Sequence, residues 1–292
     1  MKIFTFATLL LLPLFSIAQD SLSTHYKIYN TKTQKAASLK DIVADMSHAD
    51  VLFFGEEHND STGHLLEHAL LNQLSAQYPG KTALSMEMFE TDCQTILNEY
   101  LAGFIREKNF LTDARVWPNY DDYRPLIEFA KDNKLPVIAA NAPERYTNMV
   151  NRLGLTSLQQ LDATGKSYLP PLPIDTAIGP YLEKFDQIMG GHNAMPGMQM
   201  YQAQNLWDAT MGWSIAKFVK THTGYKVLQI NGGFHSEEKL GAPTQLLHYD
   251  PKAKVINIAV YSDDSFANPD WSKLSKMGDY IILTDPKLPR TF

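Results

Sequence analysis

Five side chains at the ends of short apolar runs are of the types that bind cations or move protons. Gly55-Glu56-Glu57-His58-Asn59-Asp60 follows the run 51–54, and Glu87-Met88-Phe89-Glu90 ends the run that starts at Thr82. Asn141 ends the run 136–140, and Asn231-Gly232-Gly233-Phe234-His235 follows the run 225–230. Carboxylates and imidazoles together are ligands for zinc-, manganese- or cobalt-type ions, and water on such an ion becomes a nucleophile near neutral pH. Glu56, His58, Glu87 and His235 are therefore candidate metal ligands, and Glu57, His58 and Arg124 candidate catalytic groups. Each has a plainer reading. Glu56 and Glu57 also suit the N-terminus of the helix that follows. Glu87 would be half buried and would need a partner. His235 could be a loop histidine after two glycines that let the backbone approach a ligand closely. Arg124 ends the stretch Trp117-Pro118-Asn119-Tyr120-Asp121-Asp122-Tyr123-Arg124, where it either orients an anion or pairs with Glu87 or Glu90.

Three further groups carry weaker signals. His64-Leu65-Leu66-Glu67-His68 has the H-x-x-E-H form of inverted zinc peptidases. Its helix belongs to the first strand–helix unit, so the string ranks below the strand-end set. His64, less than two turns into that helix, still reaches toward the strand-end site, whereas His68 reads as structural. Met195, Met198 and Met200, with His192 and Tyr201, make a soft apolar stretch of the kind that adapts to a ligand or fills a core. Cys93 is the single cysteine and reads as a small core residue.

These residues need elements to position them. Residues 61–77 carry Leu65, Leu66, Ala69, Leu70 and Leu74 at helical spacing. The spacing also predicts helices over 91–104, 121–132, 142–153 and 201–222, with strands at 51–54, 82–88, 136–140, 225–230, 255–261 and 280–283. Strands alternating with helices imply an α/β fold, a mainly parallel sheet with helices on both faces. Parallel strands place their carboxyl ends on one edge, where α/β proteins bind ligands. Residues about 165–203 break the rhythm, opening on Pro170-Pro171-Leu172-Pro173, and are expected to form an inserted, mostly helical lobe with a short helix at 180–189.

At 292 residues and 44% hydrophobic side chains, the chain is long enough for a full core in one domain, 19–292. A net charge of −6 argues against nucleic acid as a partner. Lys2, the apolar run 3–17 and Ser16-Ile17-Ala18 predict a signal peptide, residues 1–18, cleaved after Ala18. No cysteine stands at the cleavage point, so a lipoprotein is not expected, and the mature chain would be periplasmic or secreted.

The segments 55–60, 87–90, 204–211 and 232–235, with His64, Tyr123-Arg124-Pro125-Leu126 and Ala140-Asn141-Ala142-Pro143, occur in an order that resembles the ChaN-like haem-binding uptake proteins of the Tiki and erythromycin-esterase superfamily. The resemblance spans about residues 40–250. It implies an α/β fold and a role in haem or iron acquisition at the bacterial envelope, with haem as the cofactor and outer-membrane uptake machinery as a partner. It also implies kinship with metal-dependent hydrolases that use the G-x-x-H histidine, here His58, with a strand-end glutamate and a late histidine. The missing lipobox cysteine is a departure, so membrane attachment does not carry over. Two functions stand open. In the first, haem lies on the methionine-rich lobe (His192, Met195, Met198, Tyr201), with His64 nearby and a His or Tyr ligating iron. In the second, a divalent metal ion at the strand ends makes an esterase or peptidase. The resemblance and the lobe favour the first. The axial ligand, the metal, the substrate and the choice between monomer and homodimer stay open.

Overall fold

The computed structural model describes residues 22–189 and 197–292. Eight strands form one sheet in the order β2-β1-β8-β7-β3-β6-β4-β5. They are β1 Tyr26–Asn30, β2 Lys35–Ala37, β3 Val51–Glu56, β4 Thr82–Glu90, β5 Val137–Asn141, β6 Lys226–Gly232, β7 Val255–Ser262 and β8 Tyr280–Thr284. Strands β3 to β8 run parallel, whereas β1 pairs antiparallel with both β2 and β8. The α/β class expected from the sequence is the one observed. The edge hairpin lies outside the strands expected from the sequence, because β1 is half-buried around the single buried Ile28, β2 is largely exposed, and neither has the apolar run of the central strands.

Central strand β3 is buried at all six positions, which is why it reads as one apolar run. Its side chains alternate between two cores. Leu52 and Phe54 join a cluster with Ile42, Leu66, Leu70 and Leu126. That cluster belongs to a layer containing α1 (Leu39–Asp45), α2 (Ser61–Gln77), α3 (Gln94–Leu101), α4 (Glu107–Asp113) and α5 (Tyr120–Asp132). Val51 and Phe53 join Met211, Ile215 and Leu246 on the other face. There the layer includes α6 (Glu144–Leu153), α9 (Met200–Thr221) and α10 (Ala242–Tyr249). Two further helices, α7 (Ala163–Ser167) and α8 (Pro180–Met189), lie in and before the segment that breaks the rhythm. Leu169 and Ile174 of that segment pack on Val150, Leu206 and Ala209, so it rests against α6 and α9.

The bounds of α2 match the sequence expectation, and its start is fixed by chemistry. Asp60 caps it by accepting from the Thr62 amide at 3.0 Å and also accepts from the Thr284 hydroxyl of β8 at 2.6 Å. The expected helix 91–104 is shorter, because residues 91–93 form a 3-10 turn before α3. Cys93 is fully buried there and its thiol is pushed up to about 12, chiefly by burial, which removes it as a nucleophile.

Helices α9 and α10 touch at Gly212. A Cβ on that glycine would lie 2.6 Å from the Leu246 amide nitrogen and 2.8 Å from the Gln245 carbonyl carbon. Backbone atoms cannot swing aside, so Gly212→Ala is expected to destabilise the protein by about 1–3 kcal/mol. Thermal unfolding checks this, and an unchanged melting temperature would mean that the helices do not approach so closely.

Candidate functional site at the strand carboxyl ends

Strand alternation sends the key carboxylates to opposite faces of the sheet. Glu56 is in step with Leu52 and Phe54, so it points into the α2/α5 layer. Glu87 is in step with Ala83 and Ser85, so it points toward α9. Both sit at the same carboxyl edge, because β6 lies between β3 and β4.

On the first face the Glu56 side chain is fully buried. Its Oε1 accepts from the Tyr123 hydroxyl at 2.7 Å and from His58 Nδ1 at 2.8 Å. Burial alone would raise the Glu56 pKa. The His58 hydrogen bond, with the His64 imidazole close to the other oxygen, outweighs it and holds the carboxyl well below the usual range. For His58 the balance is similar. Burial would lower its pKa, and the Glu56 hydrogen bond with the charges of Glu87 and Glu56 raises it. Trp117 meets the His58 ring edge-on at 5.1 Å.

On the second face Glu87 Oε2 accepts from the Gly232 amide at 2.7 Å, and its Oε1 lies 3.4 Å from His235 Nε2. His235 Nδ1 donates to Asp208 Oδ1 at 2.8 Å, and Asp208 Oδ2 accepts from the Tyr181 hydroxyl at 2.5 Å. Gln204 donates to the Tyr181 oxygen at 3.1 Å. Burial opposes charge on His235, yet Glu87 and Asp208 prevail and push its pKa to about 10. For Glu87 burial is outweighed by the His235 charge, so its pKa is lowered. For Asp208 burial wins and the pKa is raised.

The two faces meet at Gly232, which pairs in register with Glu56. A Cβ on Gly232 would stand 2.7 Å from His58 Nε2, so only glycine lets the ring lie over the strand end. The amide of the same glycine holds Glu87. Each imidazole thus has Nδ1 fixed by a buried carboxylate, His58 by Glu56 and His235 by Asp208, with Nε2 turned toward the strand end. That is the arrangement by which metal-binding histidines are oriented. Two imidazoles and the Glu87 carboxylate are donor types that suit a small divalent ion, and they share one strand edge, but their ligand atoms do not all lie within 4.8 Å of one another in this structure. With no ion, the same groups hold a proton on His235 between two carboxylates.

Several sequence expectations need correction. Glu56 turns one carboxylate oxygen to His58, which it orients, and the other toward His64 and Glu67, so its candidate metal partners are those two residues and not His58, Glu87 and His235. Arg124 lies on the solvent side of α5 and pairs with Glu107 at 2.6 Å, not with Glu87 or Glu90. The inward residue is its neighbour Tyr123, and Glu90 pairs instead with Arg115. Glu57 is half buried and pairs with Arg290 at 2.7 Å. His64 is buried beneath Glu56 in the α2 layer, on the opposite face from the lobe segment, so it is not part of a haem slot there. Met198 is exposed, and the Tyr201 hydroxyl donates to the Ala177 carbonyl at 2.7 Å. His192 and Met195 lie outside the described residues. The roles of Tyr123, Tyr181, Gln204 and Asp208 emerge only in the structure. Two had a legible signal: Gln204 and Asp208 stand four apart on one face of α9, and buried polar groups there need partners.

Comparison with known proteins places this geometry in context. The family model described as haem-binding uptake, Tiki superfamily, ChaN matches residues 42–246. Among solved structures, ChaN of Campylobacter jejuni, described for its cofacial heme binding, aligns with a TM-score of 0.66 and 18% identity over 89% of this chain and 97% of that one. At that identity the likeness concerns the fold. A Bacillus cereus protein aligns at a TM-score of 0.48 and 13% identity, over 91% of this chain and 96% of its own. Protein RETICULATA-RELATED 5, chloroplastic, of Arabidopsis thaliana is 28% identical over 91 residues, which is 30% of this chain but only 12% of that protein. The family match covers more than half of the sequence, and the chain belongs to the haem-binding uptake family of the Tiki superfamily, the ChaN family.

Proposed function

We propose that this chain binds haem and serves haem or iron uptake at the bacterial envelope, as an exported protein cleaved after Ala18 and carrying no lipid. Family membership carries this reading. A hollow of about 430 Å³ supports it, lined by Ile178, Leu182, Met198 and Tyr201 among others. Its size is within the range of cofactor sites, and a tyrosine phenol is among the side chains that ligate haem iron. Tyr201 or His192 supplies or supports the axial ligand. Titration of the purified protein with haemin tests this. A saturable Soret change is expected, and Tyr201→Phe or His192→Ala should move the band and weaken binding about tenfold or more. If neither substitution alters the spectrum, neither residue is the ligand. If the wild type shows no saturable change, the haem reading fails. Export is checked separately by N-terminal sequencing, with Gln19 as the expected first residue.

A second reading is a metal-dependent hydrolase acting on esters or peptides at the strand ends. The matched orientation of His58 and His235 favours it, since each is aimed by its own buried carboxylate. A divalent ion held by His58, His235 and Glu87 would supply an activated water. Tyr181, Asp208 and Gln204 would keep His235 in place, while Glu56 and Tyr123 would do the same for His58.

A further inference from the structure

The α2 side of Glu56 contains a second group of side chains that the strand-end site does not use. While Glu56 Oε1 serves His58 and Tyr123, its Oε2 has no hydrogen-bond partner. Facing it are His64, with both ring nitrogens unpartnered, and Glu67, with both carboxylate oxygens unpartnered. Glu56 is 2% exposed, His64 7% and Glu67 0%, so water does not replace the missing bonds freely. Each such orphaned group costs on the order of 1–3 kcal/mol. One ligand atom from each of the three lies within 4.8 Å of the others.

We propose that Glu56, His64 and Glu67 hold a divalent cation of the zinc, manganese or cobalt class, inside the α2/α5 layer and separate from the strand-end set. His64 Nε2 and Glu56 Oε2 are 3.3 Å apart. That is about the separation of two ligands at roughly 2.0–2.1 Å on one edge of a tetrahedron, and the two atoms are not hydrogen-bonded to each other. The other ring nitrogen of His64 lies 3.9 Å from Asp122 Oδ1, on the side where metal-bound histidines are commonly steadied by a carboxylate. Charge points the same way. Asp60 and Asp122 add their negative fields to those of Glu56 and Glu67, and buried like charges persist only with a cation or a proton between them. The H-x-x-E-H string of α2 is thereby divided. His64 and Glu67 face inward, whereas His68 turns away to Asn72 and Phe129.

The test uses the full chain with the strand-end ligands removed, His58→Gln with His235→Gln, so that the two sites are counted apart. After chelator treatment and dialysis, cobalt(II) or zinc alone is added, and bound metal is measured by elemental analysis with the cobalt visible spectrum. About one equivalent should remain in this background, and Glu67→Gln should lower it at least tenfold. His64→Gln serves in the same way if Glu67→Gln does not fold. No metal in the double variant, or full retention after both Glu67→Gln and His64→Gln, overturns the proposal. So does a Glu67→Gln protein that matches the wild type in melting temperature with and without added metal, because Glu67 would then be holding a proton. Loss of haemin binding or of hydrolysis has no bearing on these outcomes.

Discussion

If the strand-end site is a catalytic metal centre, His58→Ala is expected to abolish its bound metal and any ester or peptide hydrolysis while leaving haemin binding intact. His58 links the two faces of the sheet edge: its Nδ1 is tied to Glu56, and its Nε2 lies over Gly232, whose amide holds Glu87. Loss of a positioned acid–base group or metal ligand lowers rates by about 10²–10⁴. Bound metal should fall by one equivalent. Haemin should still bind, because the hollow beside Tyr201 is lined by residues 176–178, 182 and 197–202 and includes no strand-end residue. Ester and peptide assays with added manganese, zinc or cobalt, metal analysis and a Soret titration on one preparation check all three. Undiminished hydrolysis in the variant would defeat the hydrolase reading, and lost haemin binding would defeat the separation of the two sites. Glu56→Gln should act in the same direction but more weakly, since it works through His58.

His235→Ala is expected to produce a large loss of stability, about 3–5 kcal/mol, the range for breaking a buried ion pair by removing one partner. Glu87 and Asp208 are both buried, and the imidazolium between them is what balances their charge. At about 2–4 °C per kcal/mol for a chain of roughly this size, the melting temperature should fall by on the order of 10 °C. The pH dependence gives an independent signature in chelated protein. The His235 pKa is raised from 6.5 to about 10 in the folded state. The folded protein therefore holds this proton more tightly than the unfolded chain. The stabilisation is fully present below pH about 6.5 and is lost as pH rises toward about 10. Denaturant unfolding of the wild type across this window should show that decline, and His235→Ala should lack it. Equal stability of the two proteins near pH 6 would mean that His235 is not the cation between these carboxylates.

The α/β class, the bounds of α2, the parallel central strands and the family were all legible in the sequence. The reason is local. A strand buried on both faces reads as a continuous apolar run, a helix packed on a sheet repeats its apolar positions every three to four residues, and strand-end polar motifs keep their order along the chain. The hairpin β1–β2 carries no such run, because β1 has one fully buried position and the edge strand β2 is largely exposed. Arg124 was mistaken for a site residue because adjacent positions on a helix point about 100° apart. Tyr123 therefore reaches Glu56 while Arg124 faces solvent and Glu107. What only the tertiary structure decided is which polar residues share a space. The insertion of β6 between β3 and β4 brings Gly232 against His58 and Glu87. The two-residue alternation of each strand then sends Glu56 to His64 and Glu67, and Glu87 to His235 and Asp208. The sequence determines which residues stand at the strand ends, because that depends on neighbours along the chain. The partners depend on strand order and on which helix faces each strand, and packing between segments as far apart as Glu87 and Gly232, 145 residues, sets both.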